Sequence, residues 1–403
     1  MISFLSQIPY AQPDPIFELT AEYNRDGSTK KVNLGQGAYR DENGMPWVLK
    51  SVIQAKRAIE GSGHEYLPIL GLEDFRKGCT KLLFGEESPI VLENRVGSSQ
   101  SISGTGSLHL VAIFLANYYS TTHKVFIPDP TWNNHRAIFE GAGFDVQLYS
   151  YFDSHHMALY FERLQEDLLR CPEGSIVVLH ACAHNPTGID PSFEQWKKIG
   201  KIVKDKHLFP IFDAAYLGFN SGSIDTDCWA IRYFFHDLNL TGAVCMSFSK
   251  NMGLYGERVG CVQIITNTFD EAKNVESILS KLQRSEVSNP PAYGARLATA
   301  IFSSKEYMQQ WKIDLRTMSC RINTMRKLLV DNLRKHNAPG SWVHVIDQNG
   351  MFGFLGLTET EVKDLRLDHH IYMAANSRIS IAGLNEANVE YVAQCITSVV
   401  SKR

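Results

Sequence analysis

The chain has 403 residues, 44% of them hydrophobic and 21% charged, with a formal net charge of −3 at pH 7. That length exceeds one small core and predicts two domains, and the balanced charge, with a pI near 6.5, offers no basic face to nucleic acid or an acidic membrane surface. No apolar run reaches the roughly 18–20 residues a membrane helix needs, and the 8 cysteines, scattered without a C-x-x-C pair, fit free thiols in a reducing compartment better than a disulfide frame or a metal site.

Residues 1–10 lack the charged and long apolar regions of a secretory signal and the arginines of a transit peptide. The last three, Ser-Lys-Arg, miss the peroxisomal Ser-Lys-Leu at the final position. The cytosol is the expected compartment. Prolines at 9, 13 and 15 predict an extended arm rather than a helix. The turn Ser103-Gly104-Thr105-Gly106 precedes a helical apolar pattern over 108–119. Short apolar runs follow at 125–128, 175–179, 208–212, 243–247 and 260–265, with amphipathic stretches such as Phe193–Asp205 between them. Such alternation predicts an α/β fold whose mainly parallel sheet is covered by helices on both faces. Ligands in these sheets sit beyond the carboxyl ends of the strands. Asn185, Asp213 and Lys250 lie there: Asn185 follows the run at 175–179, Asp213 ends the run at 208–212, and Lys250 follows the run at 243–247. A long helical pattern over 313–335, a Pro339-Gly340 turn and strand-like stretches at 343–346 and 351–355 predict a smaller α+β domain, joined by N-terminal residues.

The segment Ser247-Phe-Ser249-Lys250-Asn-Met-Gly-Leu-Tyr-Gly-Glu-Arg258 carries the sharpest chemical signal. A lysine there can form a Schiff base with an aldehyde cofactor, while serines and an arginine hold a phosphate. Those are the demands of pyridoxal 5′-phosphate, PLP. Its ring nitrogen needs a buried carboxylate to stay protonated. Asp213, after an apolar run, could supply it or could be a helix N-cap. Tyr216 and Asn185 could donate to the ring's phenolic oxygen; a core tyrosine and an Asn-Pro turn are the alternatives. Ser103, Gly104 and Thr105 could meet the phosphate at a helix start, or simply cap that helix. Trp132 could stack on the ring, with His135 bonding Asp213 from behind. Arg378, on an alternating strand pattern, could offer the planar fork that matches a carboxylate, or could be simply an exposed strand arginine. Each signal is weak alone, and their joint order is not.

Together the segments resemble the aspartate aminotransferase family, fold type I of the PLP enzymes, in its animal and fungal branch. The match spans essentially the whole chain, through Val32-Asn-Leu-Gly-Gln-Gly-Ala-Tyr-Arg40, His64-Glu-Tyr-Leu-Pro-Ile-Leu-Gly71, Ser103–Gly106, His180-Ala-Cys-Ala-His-Asn-Pro-Thr-Gly188, Ser247–Arg258, Ser288-Asn-Pro-Pro291 and Ser341-Trp-Val-His. The resemblance implies a homodimer transaminating aspartate and 2-oxoglutarate by ping-pong chemistry. Lys250 would bear PLP and shuttle the proton. Asp213 would pair with the ring nitrogen, Tyr216 and Asn185 with the phenolic oxygen. Ser103, Gly104, Thr105, Ser247, Ser249 and Arg258 would hold the phosphate. Arg378 would take the α-carboxylate, aided by the Gly37 backbone and Asn185, with Trp132 and Ile16 beside the substrate. Arg284 would reach the neighbouring subunit's substrate and Tyr66 its phosphate. Residues 1–11 would form an arm on the partner, 43–317 the large PLP-binding domain, and 12–42 with 318–403 the small one.

Four residues depart from the family pattern. Gln36 and Asn349 stand where aliphatic residues are usual, Leu217 replaces a polar residue, and Gly256 replaces a larger one. Gln36 and Asn349 leave open two readings: drift in a tolerant shell, or redirection toward another acidic or sulfonated amino acid or another PLP reaction, such as racemisation, decarboxylation or β-elimination.

Overall fold

The computed structural model describes residues 3–402. Seven strands form the central sheet: β1 (Val96–Ile102), β2 (Lys124–Asp129), β3 (Asp145–Ser150), β4 (Ile176–His180), β5 (Phe209–Ala214), β6 (Gly242–Ser247) and β7 (Val259–Ile265). Their spatial order is β1-β7-β6-β5-β4-β2-β3. All run parallel except β7, which is antiparallel to both of its neighbours. The fold is thus the α/β, mainly parallel arrangement that the alternating runs predict.

Alternation along the strands explains the two-sided core. Val178, Ile211, Cys245 and Val262 pack on one face with Leu108 and Val111 of helix α1 (Ser103–Tyr118), whereas Val177, Phe212, Val244 and Cys261 pack on the other. Every residue of β4, β6 and β7 is buried. Strands covered on both faces are nearly continuous in apolar residues, which is why these runs show no polar period; Gln263, buried in β7, accepts from Thr80 Oγ1 at 2.6 Å.

Outside this sheet, Val32–Asn33 pairs in parallel with Ile371–Tyr372, and Phe352–Phe354 pairs antiparallel with Arg378–Ser380. N-terminal and C-terminal residues therefore share a small sheet. A single 31-residue helix, Lys305–Lys335, runs alongside and begins eight residues before its apolar pattern at 313.

Three local expectations change. The stretch at 343–346 is helical, within Val343–Asp347, rather than a strand. The buried Arg326 guanidinium donates to the carbonyls of Val345, Gly350 and Phe352, satisfying the end of that short turn from inside. The N-terminal arm carries a 3₁₀ turn at Phe4–Gln7, capped by the Ser3 hydroxyl, within an otherwise irregular and exposed segment. Asp213 lies inside β5 rather than after it, so it caps no helix.

Candidate active site

The strand ends build the site. His180 ends β4 and stands in register with Asp213 of β5; Ser247 ends β6, and Ser103 follows β1. Because β7 is antiparallel, Arg258 before it arrives at the same edge. Lys250 and these side chains line one cleft with Gly104, Thr105, Trp132, Asn185 and Tyr216.

At one end of the cleft is a cup of donors. Ser103 Oγ lies 2.9 Å from Ser247 Oγ and 2.8 Å from Ser249 Oγ. Arg258 Nη1 donates to Ser249 Oγ at 3.3 Å and to the Tyr255 carbonyl at 3.0 Å. Helix α1 starts here after Ile102 with no capping side chain, so its first-turn N–H groups are left for an anion. Ser103 and Arg258 both hold left-handed backbone, with φ of 60° and 48°, a conformation costing on the order of 1–2 kcal/mol in an L-residue. Close packing accounts for Gly260, where a Cβ would come within 2.6 Å of the Ser103 backbone. Three hydroxyls and a guanidinium that among the described residues has no carboxylate partner fit a phosphate.

Across the cleft sits Asp213, whose Oδ2 is 3.0 Å from His135 Nε2. Behind it Thr131 Oγ1 meets His135 Nδ1 at 2.8 Å and His180 Nε2 at 3.0 Å, and the Asn185 N–H donates to His180 Nδ1 at 3.4 Å. Burial holds the His180 imidazole well below its usual range, hence neutral. With Nδ1 accepting, its Nε2–H donates to Thr131. The Thr131 hydroxyl is then free to donate to His135 Nδ1, which turns the His135 Nε2–H toward Asp213. Burial works to raise Asp213, but the His135 hydrogen bond, aided by the positive charge of Lys250, outweighs it and holds the carboxyl below its ordinary range. Among the described residues His135 is the sole side chain bonded to this carboxylate, which leaves it able to meet a protonated ring nitrogen.

Lys250 Nζ sits over the Tyr216 ring, 5.3 Å from its centroid. Burial pushes the ammonium down from the usual lysine range; Arg258 adds to this and Asp213 opposes it. A lowered lysine is the amine that nucleophilic and proton-transfer chemistry needs. Burial raises the Tyr216 phenol, which keeps it a donor.

Beyond Tyr216, Arg378 donates to Asn185 Oδ1 at 3.4 Å and to the Gly35 carbonyl at 3.1 Å. Its guanidinium lies over the Phe352 ring, 4.3 Å from the centroid, and its buried Nε has no partner among the described residues. Asn185 is fixed by its loop: Asp190 accepts the N–H groups of Ala183 and His184 at 2.7 and 2.9 Å. Gly37 packs on Phe352, where an added Cβ would approach to 3.2 Å. Ile16 is half-buried in the first turn of helix Pro15–Arg25, which Asp14 caps; the Asp14 charge acts on Arg378.

The remaining sequence candidates lie elsewhere. Tyr66 is 88% exposed, and Arg284 is exposed with Nη1 on Ser288 Oγ at 2.5 Å. Gln36 Oε1 accepts from Arg40 Nη2 at 3.0 Å, and Asn349 is exposed; neither lines the Lys250 cleft. Leu217 is buried, and Gly256 has open space around it. Among the described residues no His, Cys, Asp and Glu cluster suits a metal ion, and no helix is long and apolar enough to cross a membrane. Sequence reading missed Thr131, His180 and Asp190. His180 could have been found from its place at the end of the strand next to Asp213.

The family model of class I and II aminotransferases matches residues 29–396. The chain belongs to that family and is an aminotransferase. It is 47% identical over 388 residues to a mitochondrial aspartate aminotransferase of Dictyostelium discoideum, spanning 96% of this chain and 91% of the relative. The cytoplasmic aspartate aminotransferase of Saccharomyces cerevisiae superposes with a TM-score of 0.96 at 44% identity, over 99% of this chain and 98% of that one. An aromatic-amino-acid aminotransferase of Burkholderia pseudomallei, covalently bound to pyridoxal phosphate, also gives 0.96, at 40% identity over 99% and 100% of the two chains.

Proposed function

We propose that this protein transfers the amino group between L-aspartate and 2-oxoglutarate, giving oxaloacetate and L-glutamate, with PLP as cofactor. The observation that carries the reading is the single cleft in which Lys250 stands with Asp213 and the Ser103–Ser249–Arg258 cup, with Arg378 nearby. When bound, PLP supplies a protonated pyridine ring that takes up the electrons left on the substrate α-carbon. Asp213, backed by His135, Thr131 and His180, keeps that ring nitrogen protonated. The cup, with Ser247, Gly104 and Thr105, holds the phosphate. Tyr216 and Asn185 would donate to the phenolic oxygen, and Trp132 would lie against the ring. Lys250 would hold the cofactor's aldehyde end and move the proton at the substrate α-carbon.

Arg378 takes the α-carboxylate, oriented by Asn185 and the Gly35 carbonyl and supported by Gly37 and Ile16. The exposed Arg284 and Tyr66 fit a homodimer with shared sites, in which Arg284 selects the second carboxylate of the neighbour's substrate. The arm at 1–11 would lie on the partner, with 43–317 as the large domain and 12–42 with 318–403 as the small. The cytosol suits the free cysteines, and relatives occur in both cytoplasm and mitochondria. Gln36 is taken up by Arg40 and Asn349 is exposed, and neither lines the Lys250 cleft, so another substrate or reaction is not favoured.

The test is Arg378→Leu with a panel of amino donors. Loss of a buried charge-assisted partner should lower kcat/KM for aspartate by roughly 10²–10³-fold. An unchanged kcat/KM, or a wild type that prefers monocarboxylic donors, contradicts the assignment.

A further inference from the structure

We infer that the groove between residues 23–44 and 383–391 is a second ligand site, which takes a small di- or trivalent anion built of carboxylate or phosphate groups. The cavity measures about 660 Å³, within the roughly 300–1,000 Å³ of small-molecule clefts. It shares no lining residue with the Lys250 cleft. Lys30, Lys31 and Arg40 line it with the amides of Gln36, Asn33 and Asn388, and no carboxylate does.

Among the described residues none of the three cations pairs with a carboxylate. Lys31 Nζ donates to the carbonyls of Tyr23 at 3.0 Å and Asp26 at 2.7 Å, which leaves a third N–H. Lys30 Nζ lies 5.9 Å from the centre of the Tyr391 ring. Arg40 Nη2 rests on Gln36 Oε1. The acids of the neighbouring helix end are engaged elsewhere: Glu22 pairs with Arg366 at 3.2 Å, and the Asp26 carboxylate takes His370 at 2.7 Å and Tyr372 at 2.8 Å. Three cations in a walled groove focus a positive potential, and charge-assisted hydrogen bonds from ammonium, guanidinium and amide groups complete an anion's shell. Gln36, unexplained by the amino-acid site, has its place here as the neutral stand-in on Arg40. The groove borders the amino-acid site through Asn33, whose Oδ1 accepts the N–H groups of Gly35 and Gln36 at 3.1 and 3.3 Å, while the Gly35 carbonyl holds Arg378.

Calorimetric titration of the PLP-loaded protein with citrate and, in parallel, with inorganic phosphate tests the site. At least one of the two should fill a site that Arg378→Leu retains and Lys30→Ala/Arg40→Ala weakens roughly tenfold or more. Filling by phosphate alone identifies a phosphoryl ligand, by citrate alone a polycarboxylate, and by both a site that reads charge. Lys30→Ala alone, which removes a side chain with no described hydrogen bond, should weaken the same site about threefold and guards against misfolding of the double variant. Absence of any anion site in Arg378→Leu, or a site equally strong without Lys30, overturns the inference.

Discussion

Lys250 stands between charges of opposite sign, Asp213 and Arg258, in a setting where burial already disfavours its ammonium. Arg258 helps it shed a proton, and Asp213 restrains it. The carboxylate is itself restrained by a relay that starts at the Asn185 N–H and passes through His180, Thr131 and His135. Asp213 thus serves as a fixed negative charge rather than a proton carrier. Asp213→Asn should keep the fold and bind PLP, because size and the His135 contact are retained, yet lower kcat by about 10²–10⁴-fold. Stopped-flow measurement of α-proton removal checks this; an unaltered rate would show that the ring nitrogen needs no charge there. The motifs around Lys250 and Arg378 were legible in sequence because each chemistry requires a particular residue type in a particular order. His180 and Thr131 were not, since their roles depend on strand register and on a loop brought over it.

At the scale of elements, the turn that carries Tyr216 depends on Asp227. Its carboxylate accepts the N–H of Gly218 at 2.8 Å and that of Ser221 at 3.3 Å. Burial raises this carboxyl from 3.8 to about 6, despite those bonds. A folded-state pKa above the unfolded one means the native state holds the proton more tightly. The resulting stability is fully present below pH 3.8 and is lost as pH rises through about 6. Thermal melts of wild type and Asp227→Asn between these limits should show a flatter pH slope in the variant; identical slopes would remove Asp227 from the account. The misread stretch at 343–346 belongs to this scale too. Val-His-Val-Ile alternates as a strand would, but four residues are too few to separate a period of 2 from 3.6. Packing of Val345 and the bonds from Arg326 decide for a helical turn.

For the whole molecule, the strand order converts scattered residues into one site. Residues 103, 132, 185, 213, 250 and 258 meet because parallel strands all end at one edge and β7 begins there. The apolar runs made that sheet readable, whereas no periodicity assigns a place to Tyr66 or Arg284, both exposed on their own chain. If the sites are shared between subunits, Lys250→Ala and Arg284→Ala proteins, each inactive on aspartate, should complement when mixed and re-equilibrated. Random pairing leaves one intact site in half of the dimers, about a quarter of wild-type activity. Failure to recover activity in mixed dimers verified by mass would place Arg284 outside the shared site.

If Lys250 moves the α-proton, an amino group leaves aspartate and nothing else does. Mixing the PLP-loaded enzyme with L-aspartate alone, while following oxaloacetate, ammonia and CO₂ together, tests it directly. Up to one equivalent of oxaloacetate per site should form, with no ammonia or CO₂, further turnover only when 2-oxoglutarate is added, and none of this in Lys250→Ala. Release of ammonia or CO₂, or oxaloacetate formation that survives loss of Lys250, would contradict it.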